Sequence, residues 1–82
     1  MPELPRLILY ERDVCHLCEG VRLLLDDMIG MDRYARVDID TDDDLVLRYG
    51  FRIPVLRLDG VDRLEAPINI GDVRMLVAEL DG

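Results

Sequence analysis

A run of four apolar residues, Leu7-Ile8-Leu9-Tyr10, leads through Glu11-Arg12-Asp13-Val14 straight into Cys15-His16-Leu17-Cys18. From Leu17 onward the apolar positions Leu17, Val21, Leu24, Leu25 and Met28 recur at helical spacing. The first run suits a strand buried on both faces. The second predicts a helix that begins at the cysteine pair, carries Glu19 in its favourable first turn and stops at Gly30. Such a junction is the first half of a β-α-β unit, whose right-handed crossover brings two strands together in parallel. The second half follows at once, because Ala35, Val37 and Ile39 alternate with Arg36, Asp38 and Asp40 in the pattern of a half-buried strand.

Thr41-Asp42-Asp43-Asp44 resembles a capping box with acid in the first turn, which predicts a short helix running to Tyr49 and closed by Gly50. The three aspartates lack the Asp-x-Asp-x-Asp-Gly spacing and distant Glu of a calcium loop, so they read as a solvated helix start. Val55 to Leu58, Asp59-Gly60 and Val61 to Glu65 predict a hairpin, since Asp-Gly supplies the positive φ angles of a type I′ turn. Val73, Leu76, Val77 and Leu80 form the stripe of a terminal helix capped by Asn69 or Asp72. The order is β-α-β-α-β-β-α, an α/β chain with a central four-stranded mixed sheet flanked by helices. At 82 residues, half of them hydrophobic, it is expected to form one domain over 1–82. Tyr10, Tyr34, Tyr49 and Phe51 are expected to join Leu, Val and Ile in the core.

Ten arginines against 18 acidic residues give a net charge of -8, which disfavours nucleic acid and anionic lipid as partners. The chain has no Ser, Lys, Gln or Trp, so a Ser-His-Asp triad and a Schiff-base lysine are excluded. Met1 to Arg6 and the short apolar run after them carry no secretory signal, and no segment approaches a membrane span. The cytoplasm is the expected compartment, and there a disulfide is usually transient and chemical rather than architectural. Cys15 and Cys18 are the only cysteines, and a bridge this short contributes about 2 kcal/mol at best. Reactivity is the better explanation. At the positive end of a helix, stabilisation of about 0.3 to 2 kcal/mol favours the Cys15 thiolate and draws that thiol down toward neutrality. Arg12 and a protonated His16 help, whereas Glu11, Asp13 and Glu19 oppose. Cys18, one turn into the helix, is expected to be the less exposed thiol, suited to resolving a mixed disulfide on Cys15. His16 either tunes Cys15 or points into solvent beside it.

The order of elements, the Arg12-x-x-Cys15-x-x-Cys18 motif and Ile53-Pro54 ahead of the hairpin together resemble a glutaredoxin of the thioredoxin superfamily, of the small bacterial glutaredoxin-like kind. The resemblance spans nearly the whole chain and implies a thioredoxin-like fold of glutaredoxin type. It also implies that Cys15 attacks a disulfide, that Cys18 resolves it, and that Pro54 lies against the pair in the cis form. Arg12 stands where a basic residue helps to hold glutathione, and it can pair bidentately with a carboxylate. His16-Leu17 replaces the family's Pro-Tyr, and Arg52-Ile53 stands in place of Thr-Val. Ile68-Asn69-Ile70-Gly71-Asp72 keeps Asp72 and the helix start of the glutathione cradle, without its paired glycines. Arg52, Ile53 and Asp72 are the remaining candidates for glutathione contact. Thioredoxin proper is less similar, because Trp-Cys-Gly-Pro-Cys is absent and Leu9 stands where its buried aspartate would be.

The implied function is a cofactor-free thiol-disulfide oxidoreductase, expected to act as a monomer on disulfide-containing proteins or on glutathione, its possible co-substrate. Two other readings stay open. One is metal or iron-sulfur cluster binding through Cys15 and Cys18, and the other is a thioredoxin-like interaction scaffold whose dithiol is idle. Glu19 in place of His removes the haem-attachment signature, and four-coordinate zinc needs ligands beyond Cys15, Cys18 and His16. The plainer readings of the other candidates are a trans proline opening a strand at Pro54 and surface charges at Arg12, Arg52 and Asp72.

Overall fold

A computed structural model describes residues 5–81; Met1 to Leu4, where the reading of the leader segment begins, lie outside the described residues. The chain runs β1 (Leu7–Glu11), α1 (His16–Ile29), β2 (Tyr34–Asp38), α2 (Asp43–Tyr49), β3 (Val55–Leu58), β4 (Val61–Glu65) and α3 (Ile70–Asp81). Short 3-10 turns at Met31–Arg33 and Ile39–Thr41 flank β2. The four strands lie in the order β2-β1-β3-β4, with β1 and β2 parallel and the other neighbours antiparallel. This is the mixed sheet and element order that the sequence predicts.

β1 is central because all of its side chains find cover. Leu7 and Leu9 face α1 and α3, meeting Val21, Leu25, Val73 and Leu76, while Ile8 and Tyr10 face α2 and meet Tyr49, Ile39, Leu45 and Val46. Strand alternation thus feeds two separate cores, and each fully buried aliphatic side chain contributes about 1.5–3 kcal/mol. The edge strand β4 is largely exposed and carries Asp62, Arg63 and Glu65, charges that discourage pairing with another chain. Asp59 and Gly60 turn the hairpin with φ of 51° and 82°, as a type I′ turn requires. Gly30 closes α1 at φ 83°. Asn69 caps the last helix, its Oδ1 accepting from the Asp72 N–H at 2.8 Å.

Four local expectations are corrected. β2 ends at Asp38, and Ile39 reaches the core from the following 3-10 turn rather than from the strand. Asp42, not Thr41, caps α2: its carboxylate accepts from the Asp44 N–H at 2.8 Å, while the Thr41 hydroxyl donates to the Asp38 carbonyl at 2.7 Å. Phe51 is fully exposed, because Tyr49 fills the core and the N–H groups of Arg52 and Ile53 wrap back onto the Tyr49 carbonyl, turning the intervening residue outward. Leu17 is also exposed, the inward position in the first turn of α1 being taken by Cys18.

Candidate functional site

The segment between β1 and α1 sets the site. Glu11 ends the strand, Arg12 and Asp13 turn, and Val14 takes φ 55°, a left-handed conformation unusual for a β-branched residue. Val14 is exposed. The turn delivers Cys15 as the N-cap of α1 in extended geometry, φ -123° and ψ 106°. Its Sγ accepts a hydrogen bond from the Cys18 N–H at 3.2 Å, and its carbonyl accepts from the Glu19 N–H at 3.0 Å. A sulfur thus occupies the position where Ser, Thr, Asp or Asn usually satisfies the free donors of a helix start. A thiolate is a stronger acceptor than a thiol, so this placement favours the ionised form.

Cys15 and Cys18 are joined as a disulfide with Cα atoms 5.2 Å apart, within the ordinary span of such a bridge. Cys15 is partly exposed and Cys18 is only 1% exposed. A reagent arriving from solvent therefore meets Cys15 first. His16 and Leu17 between them face solvent, and no hydrogen bond holds the His16 ring among the described residues.

The cysteines open into a cleft of about 500 Å³ formed by the end of β1, the first turns of α1 and the end of β2. Arg12, Cys15, His16 and Cys18 line it together. Glu11, Asp13 and Glu19, which the sequence already sets around Cys15 as opposing charges, line it as well, and so do Arg22, Arg36 and Asp38, which no sequence signal assigned to the site. Glu11 is the buried carboxylate of the group, receiving Arg36 Nε at 2.6 Å across the parallel strand pair. That hydrogen bond is the main reason the Arg36 guanidinium is held even more firmly charged than usual. Arg36 comes to the site through the β1–β2 register, which sets Leu9 opposite Arg36 and Glu11 opposite Asp38 and which no local sequence signal specifies.

The remaining candidates lie elsewhere. The Ile53–Pro54 peptide is cis, as the resemblance implies, and so is Ala66–Pro67, which no sequence signal marked. Tyr10 stands opposite Val55, so Pro54 sits at the end of the sheet from which the cysteine loop departs, although it does not line the cleft. Ile53 packs into the α2 core. Arg52 is turned inward on its own hairpin: its Nε donates to Glu65 at 2.8 Å, its Nη2 lies 3.5 Å from Asp62, and its guanidinium lies 5.2 Å from the Tyr49 ring centre. Asp72 is absorbed by its own helix start, accepting from Asn69 Nδ2 at 2.9 Å. Arg12 is held by Asp40, both carboxylate oxygens receiving Nε, at 3.0 and 3.1 Å. Among the described residues no group of three or more His, Cys, Asp or Glu side chains is arranged to hold a metal ion. Nor is any helix among them long and apolar enough to cross a membrane.

A mixed four-stranded sheet with α1 and α3 on one face, α2 on the other and a cysteine pair opening α1 defines a thioredoxin-like α/β protein. Within that class, the model of the glutaredoxin-like domain (DUF836) matches residues 6–79, and the chain belongs to that family. It is similar to XcR50, a structural-genomics target protein from X. campestris. The X-ray structure of that protein is 37% identical over 89% of this chain and 96% of that one, with a TM-score of 0.71. Its solution structure gives 34% identity, coverage of 90% and 94%, and the same TM-score of 0.71. In fold the chain also resembles a thioredoxin variant from Halobacterium salinarum NRC-1, at 23% identity, TM-score 0.60 and coverage of 92% of this chain and 74% of that one. The oxidised thioredoxin from Plasmodium falciparum, at 11% identity, likewise reaches a TM-score of 0.60, covering 95% of this chain and 84% of that one. Among curated proteins no significant match is found.

Proposed function

We propose that this protein is a thiol-disulfide oxidoreductase. The observation that carries the proposal is the asymmetry of the pair: Cys15 is partly exposed and capped by a helix-start N–H, and the buried Cys18 is close enough to close a disulfide with it. In the reduced protein the Cys15 thiolate attacks one sulfur of a substrate R–S–S–R′, forming Cys15–S–S–R and releasing R′S⁻, which takes up a proton. Cys18 then loses its proton and attacks the Cys15 sulfur, closing the Cys15–Cys18 disulfide and expelling RS⁻. Two electrons pass from the dithiol to the substrate, and a thiol reductant reverses the steps.

Pro54 and His16 support the pair in this reading, Pro54 from the same end of the sheet and His16 from within the motif. Both sulfurs belong to one chain and carry the electrons themselves, so a monomer without a bound cofactor suffices. The cytoplasm, with its thiol reductants, is the proposed place of action, and proteins bearing disulfides or glutathione mixed disulfides are the proposed substrates. Glutathione contact through Arg12 or Arg52 requires each to exchange an internal carboxylate for that of the tripeptide.

Equilibration of the purified protein across a glutathione redox series, quenched by alkylation and read by intact mass, tests the proposal. The expected result is a two-electron transition between dithiol and disulfide with a midpoint between about -180 and -270 mV. A pair that stays reduced throughout overturns it.

A further inference from the structure

The charges around the disulfide are sorted in a way that bears on what the site accepts. The cleft is lined by the arginines 12, 22 and 36 and by the carboxylates of Glu11, Asp13, Glu19 and Asp38. Every arginine is already claimed: Arg36 by Glu11 at 2.6 Å, Arg12 by Asp40 at 3.0 Å, and Arg22 more loosely by Glu19 at 3.8 Å. Because Asp40 reaches Arg12 from outside the lining, the pairing leaves Asp13 and Asp38 with no cationic partner among the described residues. Asp38 spends one oxygen on the Asp40 N–H at 2.9 Å, which leaves its charge in place, and among the described residues no hydrogen bond or ion pair engages the Asp13 carboxylate. The positive end of α1 opposes, its Cys18 N–H already directed at Cys15 Sγ, and so does His16 of the cleft lining when it is protonated. A net charge of -8 on the whole chain adds a negative background.

Resting on the oxidoreductase reading, we propose that this site selects disulfides flanked by cationic groups, as in a basic polypeptide segment, and disfavours anionic disulfides such as that of glutathione. The exchange is the one already written: the reduced pair gives two electrons to the incoming disulfide, which leaves as two thiols. Selection arises because the flanking groups must come within a Debye length of Asp13 and Asp38 as the incoming sulfur reaches Cys15. A basic flank gains two carboxylate partners, whereas an acidic flank meets them unscreened and finds no free guanidinium.

The test uses the intact reduced protein at pH 8. The probes are the symmetric disulfides of blocked Arg-Cys-Arg, Asn-Cys-Asn and Glu-Cys-Glu peptides, together with glutathione disulfide. Each rate of Cys15–Cys18 closure is divided by the rate of the same disulfide with dithiothreitol, an uncharged dithiol, which removes differences in leaving thiol. At low salt the normalised rate for the arginine peptide is expected to exceed those of the glutamate peptide and glutathione disulfide by about tenfold or more. The asparagine peptide is expected between them, with the spread falling to about twofold at 0.5 M salt as screening shortens. Asp13→Asn, alone and combined with Asp38→Asn, is expected to narrow the low-salt spread; asparagine keeps the oxygen that caps the turn. Equal normalised rates, a faster anionic disulfide or a spread indifferent to salt overturns the selection and leaves the oxidoreductase reading standing. Failure of all four disulfides to close the pair overturns that reading and this inference with it.

Discussion

On one face of the sheet Leu7, Leu9, Leu56 and Leu58 meet Val21, Leu25, Val73 and Leu76 in an almost wholly aliphatic core, with Tyr34 at its margin. On the other face Tyr10 stacks on Tyr49 at 4.4 Å, the Tyr49 hydroxyl bonds Asp62 at 3.0 Å, and Arg52 lies against the Tyr49 ring. Burial holds the Tyr49 phenol above its ordinary value. Aliphatic contact is non-directional, so α1 is held by buried area along its length, while the left-handed Val14 and the Cys15 cap just ahead of it stay accessible to solvent. The α2 face is directional instead. Its ring tips and guanidinium groups need fixed partners, and that need consumes Arg52, a candidate ligand by resemblance, as a structural cation. The two faces of the sheet are therefore built from different forces, and perturbations should separate them.

The largest expected effect belongs to the α1 face: under the proposed function Cys15→Ser should abolish dithiol turnover while the denaturation midpoint of the reduced protein stays near that of the parent. Cys18→Ser should accumulate a substrate mixed disulfide on Cys15, visible by intact mass; full dithiol turnover by either variant would contradict the assigned roles. Next, Leu25→Ala empties a fully buried site in the aliphatic core and should cost about 2–5 kcal/mol in urea unfolding. Tyr49→Phe on the opposite face removes a hydroxyl but keeps the ring stack, so its expected cost is about 1 kcal/mol. A loss from Tyr49→Phe as large as that from Leu25→Ala would erase the contrast. Val14→Asn places a residue that tolerates φ 55° in the cysteine turn and should raise stability by up to about 1 kcal/mol.

The smallest effect is in acid. The hydrogen bond from Arg63 holds the Glu79 carboxyl below its ordinary value, and that from Arg6 does the same for Asp59. A depressed folded value makes the unfolded chain the better proton binder. The contribution is therefore complete above the unfolded carboxyl value and lost as pH falls below about 4, through the folded value. Arg63→Gln should flatten the fall of the urea midpoint over that range, and added salt should flatten it further, because both partners are exposed.

Much of this architecture is written locally. The apolar run at Leu7 to Tyr10, the cysteine-led helix, the Asp59-Gly60 turn and the stripe from Val73 to Leu80 each satisfy a periodicity or a backbone preference that needs no distant partner. The cysteine pair was legible for the same reason, since three residues of a helix start bring Cys15 and Cys18 together. Leu17 and Phe51 misled because periodicity and apolar character say which residues favour burial, and only the packed neighbours decide which of them find cover.

The order of elements, the helix-start dithiol and the excess of acid over arginine follow from the chain alone. Tertiary structure decided which acid meets which arginine. Glu11 finds Arg36 because β1 and β2 lie in parallel, Arg12 finds Asp40 across the turn after β2, and Arg52 is drawn onto Tyr49 and Glu65 by the hairpin. Charge pairing depends on distances of a few ångströms between residues far apart in the chain, and only the closed sheet sets those distances.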